Sequence, residues 1–290
     1  MSESATLTTR VTVSVVVPCY NQEATISRCL TSLINQTYPA EDFEIFLADN
    51  GSIDRSVEIA RGFDRVRLIQ ELQRGGFAAR NTALRQTSGS ILVFTDGDCE
   101  ADANWLHCVV NAFEDAQVVM ILGANRFADE SFFLRTRADY ENEKFQYICD
   151  QNNPQYYYVY TNNLAVRRSA FDTCGPFETI MRGADVIFSS RVIAKYGCDA
   201  VRFVPEMQVR HWEIDRSYKW FSKLWIYARS YGVYSPDSGT RPLSFRQRLS
   251  VQSAMMSQPD STPTRAIWLF CSDLIGTAAY LLGRLSRNFY

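Results

Sequence analysis

Four times in the first 115 residues a short apolar run gives way to a segment of helical periodicity, and no other feature constrains the fold as much. "VTVSVVVP" (11–18) is closed by Pro18, and "EATISRCLTSLINQ" (23–36) puts Ile26, Leu30, Leu33 and Ile34 on one helical face. "FEIFLAD" (43–49) and "SIDRSVEIAR" (52–61) repeat the pair, with Ser52 expected to cap the helix. "VRLIQE" (66–71) leads to "GGFAARNTALRQT" (75–87). "ILVFT" (91–95) leads to "WLHCVVNAFED" (105–115), with Leu106, Val109, Val110 and Phe113 facing inward, and "VVMILGA" (118–124) is a fifth strand. Such alternation implies an α/β fold, a Rossmann-like, mostly parallel sheet covered by helices on both faces.

The polar residues fall where such a sheet binds ligands. Pro18-Cys19-Tyr20-Asn21, Asp49-Asn50-Gly51-Ser52 and Asp96-Gly97-Asp98 each follow a strand. In open α/β sheets ligands sit outside those carboxyl ends, at the switch point of strand order. "ILVFTDGDCE" (91–100) crowds three carboxylates, Asp96, Asp98 and Glu100, into five positions, where they repel unless a cation or donors compensate. Asp96 and Asp98 can face one pocket, and hard cations such as Mg²⁺ or Mn²⁺ take one or two carboxylates and fill the rest from phosphates and water. That chemistry implies a diphosphate ligand, with Gly97 allowing close backbone approach. An ordinary polar turn is the plain alternative. An EF-hand loop fails, because Ala101 and His107 stand where Gly and Glu are needed. A phosphatase with an aspartate nucleophile also carries D-x-D after an apolar strand, but Glu100 stands where Thr or Val is usual. "RGGFAARN" (74–81) offers backbone N–H groups at a helix start, and is neither a Walker loop nor a dinucleotide fingerprint.

The 290 residues suffice for one large α/β domain or a domain with an appendage, and 46 % hydrophobic content suits a globular chain. A net charge of −2 gives no global attraction to nucleic acid, yet residues 241–290 carry six Arg against two Asp. That local excess suits a solvated face or an anionic membrane surface. Eight Cys without a C-x-x-C, behind the polar "MSESATLTTR", suit reduced thiols in a cytosolic protein. Two histidines, His107 and His211, exclude a His-rich zinc site.

Further on, "YENEKFQYICDQNNPQYYYVY" (140–160) is rich in aromatic and amide residues; Tyr156 to Tyr160 suit either an acceptor or a buried core. Residues 161–197 end in a helix with Val186, Phe188, Val192 and Ile193, and 200–213 form a strand with a polar exit. Residues 216–235 read as an amphipathic helix with Trp220, Leu224, Tyr227 and Tyr231 on one stripe. Residues 266–283 fall short of the ~20 apolar residues a span needs, and Asp273 would be costly at the bilayer centre. A helix lying in the membrane interface is expected there, with a packed core helix as the alternative.

The blocks "VSVVVPCYNQEATISRCLTSLINQTYP", "FEIFLADNGSIDRS", "RGGFAARNTAL", "SGSILVFTDGDCEADANWL", "TNNLAVRRSAFDTCGPFE" and "RGADVIFSSRV" together resemble a family 2 glycosyltransferase of GT-A fold, from about Val13 to Tyr234. The resemblance implies an inverting enzyme moving a sugar from a nucleotide-sugar, usually a UDP-sugar, to a saccharide or lipid-linked acceptor in polysaccharide or glycan synthesis, with Mn²⁺ or Mg²⁺. It implies that Pro18, Tyr20, Asn21 and Glu23 surround the nucleotide, with Gly97 close by, and that Asp49, with Asn50, meets the base. Many relatives have a second Asp where Asn50 stands. Arg80 and Asn81 would border the nucleotide, Asp96 would contact ribose or sugar, and Asp98 would hold the metal with Asp96 and His211. Asp185 matches the catalytic base, although its position before "IFSSRV" also suits a helix cap; relatives often carry Glu where Ala184 stands. Processive synthases carry Q-x-x-R-W, whereas "QVRHWE" has His211 in place of that Arg, so a non-processive enzyme is implied. A non-catalytic nucleotide-sugar-binding protein is the other reading. The expected organisation is a polar tail (1–10), a GT-A domain (11–235, with a nucleotide-sugar half to 124 and an acceptor half from 125) and a basic, membrane-associating helical segment (236–290). The expected location is cytoplasmic, at the inner face of the membrane.

Overall fold

The computed structural model describes residues 13–129, 131–258 and 261–285, so the expected tail lies outside the described residues. The alternation appears as β1 (Val13–Cys19), α1 (Ile26–Ile34), β2 (Phe43–Asp49), α2 (Ser56–Arg61), β3 (Val66–Gln70), α3 (Gly76–Leu84) and β4 (Ile91–Thr95). β1 and β4 are buried along nearly their whole length, as strands covered on both faces must be. Ser14 is tolerated inside β1 because its hydroxyl donates to Glu44 Oε1 (2.7 Å) and accepts from Gly89 N (2.8 Å). β1 pairs in parallel with β2 and β4, and β2 with β3.

The rest of the sheet is mixed. β5 (Cys99–Ala101) and α4 (Trp105–Ala112) lead to β6 (Met120–Phe127), and α5 (Phe132–Gln151) to β7 (Asn163–Arg167). α6 (Arg168–Cys174) and α7 (Ala184–Tyr196) precede β8 (Val201–His211). The strand order is β3-β2-β1-β4-β7-β6-β8-β5, with β7 and β5 antiparallel to their neighbours. The sheet is therefore mostly parallel, with one apolar core on each face. β6 and β8 part at Gly123/Ala124, where the Asn163 amide donates to Ala124 O (2.8 Å) and Met207 O (2.9 Å). A Cβ on Gly123 would lie 2.1 Å from Met207 O, so only glycine fits beside this wedge.

α8 (Ser217–Ser238), α9 (Phe245–Met256) and α10 (Pro263–Leu285) close the chain against α5 and α7. The expected division after residue 235 falls inside α8. α9 opens on a capping box between Ser244 and Gln247. In α10 the usual polarity is inverted. Arg265, Ser272 and Asp273 are buried, whereas Ile267, Trp268, Phe270, Leu274, Ile275 and Leu281 are exposed. Among the described residues α10 is the one helix long and apolar enough to cross a membrane, by length and composition (Pro263–Leu282).

Two helix starts differ from expectation. Ser52 does not cap α2, which begins at Ser56 behind Arg55, because Ser52 N donates to Asp49 and Ser52 Oγ accepts from Asn21 N (3.0 Å). Asp185 does not cap α7 either. Gly183 holds that position at φ 85°, and Asp185 lies in the first turn.

Candidate active site

The three crowded carboxylates resolve into three directions. Asp96 forms an ion pair with the Arg80 guanidinium, which α3 supplies. Asp98 turns to His211 at the end of β8, with Oδ2 3.8 Å from Nδ1. Glu100 leaves along β5 and accepts a hydrogen bond from Trp212 Nε1 (2.8 Å). Mutual repulsion is relieved by separate partners.

Asp98 and His211 are both buried, and with Cys99 they bring potential ligand atoms within 4.8 Å of one another. Burial raises the Asp98 carboxyl above its usual range while His211 pulls it back. Burial lowers His211 below its usual value, with Asp98 opposing, so the ring is neutral and has a lone pair to give. His211 Nδ1 has no hydrogen-bond partner. One carboxylate and one neutral imidazole with an unused nitrogen fit a divalent cation such as Mn²⁺. Burial raises the Cys99 thiol well above its ordinary value, which keeps it a poor ligand for such a hard ion. Asp96, expected as a second ligand, is engaged by Arg80 and lies outside this cluster. Lys223 of α8, unnoticed in the sequence, stands 3.4 Å from His211 Nε2 and 2.6 Å from Glu213.

Beside this cluster opens a cavity of about 570 Å³ lined at one end by Arg80, Asp96 and Asp185. Burial raises the Asp185 carboxyl to about 6, with Arg80 pulling in the other direction. Its Oδ1 accepts from Val186 N (3.0 Å). The walls are the stripe Trp220, Leu224, Tyr227 and Tyr231 of α8 together with Tyr156, Tyr158 and Tyr160, so the stripe faces this cavity. Tyr157 points instead into the core.

The remaining expected residues gather at the strand ends but not in this cavity, and several are engaged locally. Asn50 donates to Glu71 O (3.0 Å) and Gln73 O (2.7 Å) and accepts from Gly75 N (2.7 Å), bracing the 71–75 loop. Asp49 accepts from Gly51 N (3.2 Å) and Ser52 N (3.1 Å). Asn81 clasps the backbone of Phe177 in both directions (2.7 and 3.2 Å). Asn21 Oδ1 accepts from Ile53 N (2.9 Å), and Glu23 accepts from Arg55 N (3.1 Å). Tyr20 is exposed, and Pro18 ends the buried run of β1. Gly97 answers to a packing need: a Cβ there would lie 3.3 Å from Gln22 Cγ and from Ile26 Cδ1, against α1.

Comparison with known proteins places this geometry. The family described as "Glycosyl transferase family 2" matches residues 14–175, more than half of the chain, and the chain belongs to that family. The glycosyltransferase AglE of Haloferax volcanii is 35 % identical over 187 residues, 62 % of this chain and 60 % of that protein. The match thus spans less than two thirds of this relative's length. Among solved structures, the mannosyltransferase PcManGT from Pyrobaculum calidifontis in complex with GDP-Man and Mn²⁺ superposes with a TM-score of 0.66 at 19 % identity, covering 97 % of this chain and 88 % of that one. Residues 1–349 of S. aureus TarS in complex with UDP-GlcNAc give 0.54 at 14 % identity, covering 96 % and 91 %. Both likenesses show the shared GT-A fold, and family membership removes the phosphatase reading.

Proposed function

We propose that the chain is an inverting, non-processive glycosyltransferase that moves a sugar from a nucleotide-sugar, a UDP-sugar, to a saccharide or lipid-linked acceptor in glycan synthesis. The observation that carries this reading is Asp185: a carboxyl raised to about 6 shares one cavity wall with Arg80 and Asp96. At neutral pH such a group is ionised yet basic enough to take a proton from an attacking hydroxyl. The acceptor oxygen then bonds to the anomeric carbon from the side opposite the leaving group. The bond to the diphosphate breaks, and its electron pair departs with the nucleoside diphosphate.

The other roles follow the same reading. Asp96 contacts the donor's ribose or sugar, and Arg80 orients Asp96. Pro18, Tyr20, Asn21 and Glu23 form the nucleotide wall with Asp49, whose carboxylate suits an N–H of the base. Asn50, Asn81 and Gly97 shape that wall from behind. Asp98 and His211 would hold Mn²⁺ or Mg²⁺, which when bound supplies positive charge to the departing diphosphate. Asp96 is the weaker candidate for that role, being committed to Arg80. The apolar outer face of α10 supports peripheral contact with the inner face of a membrane.

A nucleotide-release assay across UDP- and GDP-sugars, with and without Mn²⁺ or Mg²⁺, tests this. Transfer that Asp98→Asn abolishes, together with metal-dependent nucleotide binding, is the expected result. Tight binding without turnover for every donor and acceptor would instead make the chain a nucleotide-sugar-binding protein.

A further inference from the structure

Lys223 stands where a metal-ligating histidine normally has an acceptor. An imidazole that holds a metal on one nitrogen almost always donates its other N–H to a carboxylate, a carbonyl or water. Beside His211 the neighbour is the opposite kind of group. Lys223 Nζ lies 3.4 Å from His211 Nε2, and an ammonium has three donors and no acceptor. Nε2 therefore offers its lone pair to Lys223. The proton of the neutral ring then falls on Nδ1, the nitrogen 3.8 Å from Asp98 Oδ2.

Both ways of binding an ion meet this lysine. A cation on Nε2 would need the place that the ammonium holds. A cation on Nδ1 would put the ring proton on Nε2, where N–H and ammonium would face each other as two donors. The charges agree with this. Asp98 and Glu213 are carboxylates beside a neutral ring, and Lys223, 2.6 Å from Glu213, is a cation that answers them. Burial works against the Lys223 charge, yet Tyr227, Glu213 and Asp98 outweigh burial and raise its pKa, so the side chain stays an ammonium. It reaches over from α8 on a flexible stem, so a change of rotamer takes it off His211 while Glu213 keeps hold of it.

We propose that Lys223 is a positioning residue for the cation site: it holds His211 in the tautomer with Nδ1 protonated, and it competes with the divalent cation until it turns to Glu213 alone. The proposal rests on the reading of Asp98 and His211 as metal ligands, and not on sugar transfer.

Electron spin resonance of free Mn²⁺, titrated into the chelator-treated full chain without nucleotide, tests it. Lys223→Met should bind Mn²⁺ about ten times more tightly than the wild type, the size of effect common for the partner of a ligating imidazole. Lys223→Arg keeps a cation there and should stay near the wild type. Lys223→Gln, which removes the charge and keeps a polar end, serves if Lys223→Met melts early. Nitrogen NMR of the wild type needs no such variant. The chain has two histidines, and the ring that His211→Gln deletes from the spectrum should carry its proton on Nδ1. Three results would overturn the competition alone, given that His211→Gln abolishes Mn²⁺ binding: an affinity not raised in a normally melting Lys223→Met, an equal gain in Lys223→Arg, or a wild-type proton on Nε2. Mn²⁺ bound equally by the wild type and His211→Gln would overturn the metal reading, and the proposal with it.

Discussion

The two walls of the site are built on opposite plans. On the strand side, polar side chains at the ends of β1 and β2 are held by nearby backbone groups, as Asn21, Asp49 and Asn50 are, above an apolar core. On the helical side, charged side chains of α5 and α10 turn inward to one another, and the apolar face of α10 turns outward. One wall displays polarity at its rim, whereas the other encloses it. A rim of amides and carboxylates is ready for a nucleotide, and an enclosed ionic lining suits a ligand that brings charge with it.

The comparison is open to test, beginning with the residue where the walls meet. Asp185→Asn should lower turnover by roughly 10²–10⁴-fold. The wild-type rate should fall about tenfold per pH unit below about 6, as the base becomes protonated. The same substitution should stabilise the fold. Burial raises the folded pKa above the unfolded value, so ionisation at neutral pH costs about 3 kcal/mol, and Asn avoids this cost. In thermal melts the gain should be present at pH 7 and vanish near pH 4, where the wild-type carboxyl is protonated in the fold. A neutral-pH melt unchanged by the substitution would disprove the buried base.

The faces of α10 give the next contrast. Asp273→Ala leaves Arg137 with one carboxylate and should cost about 3 kcal/mol in denaturant unfolding. Leu274→Glu on the outer face should change stability by no more than about 0.5 kcal/mol, yet weaken binding to anionic vesicles roughly tenfold. Equal effects on stability would show that the outer face is packed rather than free.

Asn50→Ala comes between these two in size. Losing three hydrogen bonds from the buried Asn50 amide should cost about 2 kcal/mol. As a brace it should leave the preference between uridine and guanosine nucleotides unchanged. A switched preference at constant stability would return Asn50 to the base.

This difference also decides how much could be read from residues alone. Strands β1, β2 and β4 are short, apolar and buried along nearly their whole length, so length and composition agree. The strand-end clusters followed directly, as did the pairing of Asp98 with His211 once the family pattern was recognised. α5 was missed because its inner face carries Arg137, Glu141 and Lys144, which erases the apolar stripe by which a packed helix is recognised. The stripe on α8 was seen, but the cavity it faces is made by α5 and α10, far away in sequence. β5 is three residues long, too short for any period. Asn50 and Asn81 are expected at the nucleotide from the family pattern; an amide can serve backbone and ligand alike, and in the fold both hold the backbone of neighbouring loops.

The loops after β1 and β2 are cross-tied by five hydrogen bonds, from residues 21, 22 and 23 to residues 52 through 56. At about 1 kcal/mol each, these ties make the two loops one stiff body. Neither can swing aside without the other. A ligand arriving at the ends of β1 and β2 therefore meets a wall already in place, and its binding should need no ordering of these two loops.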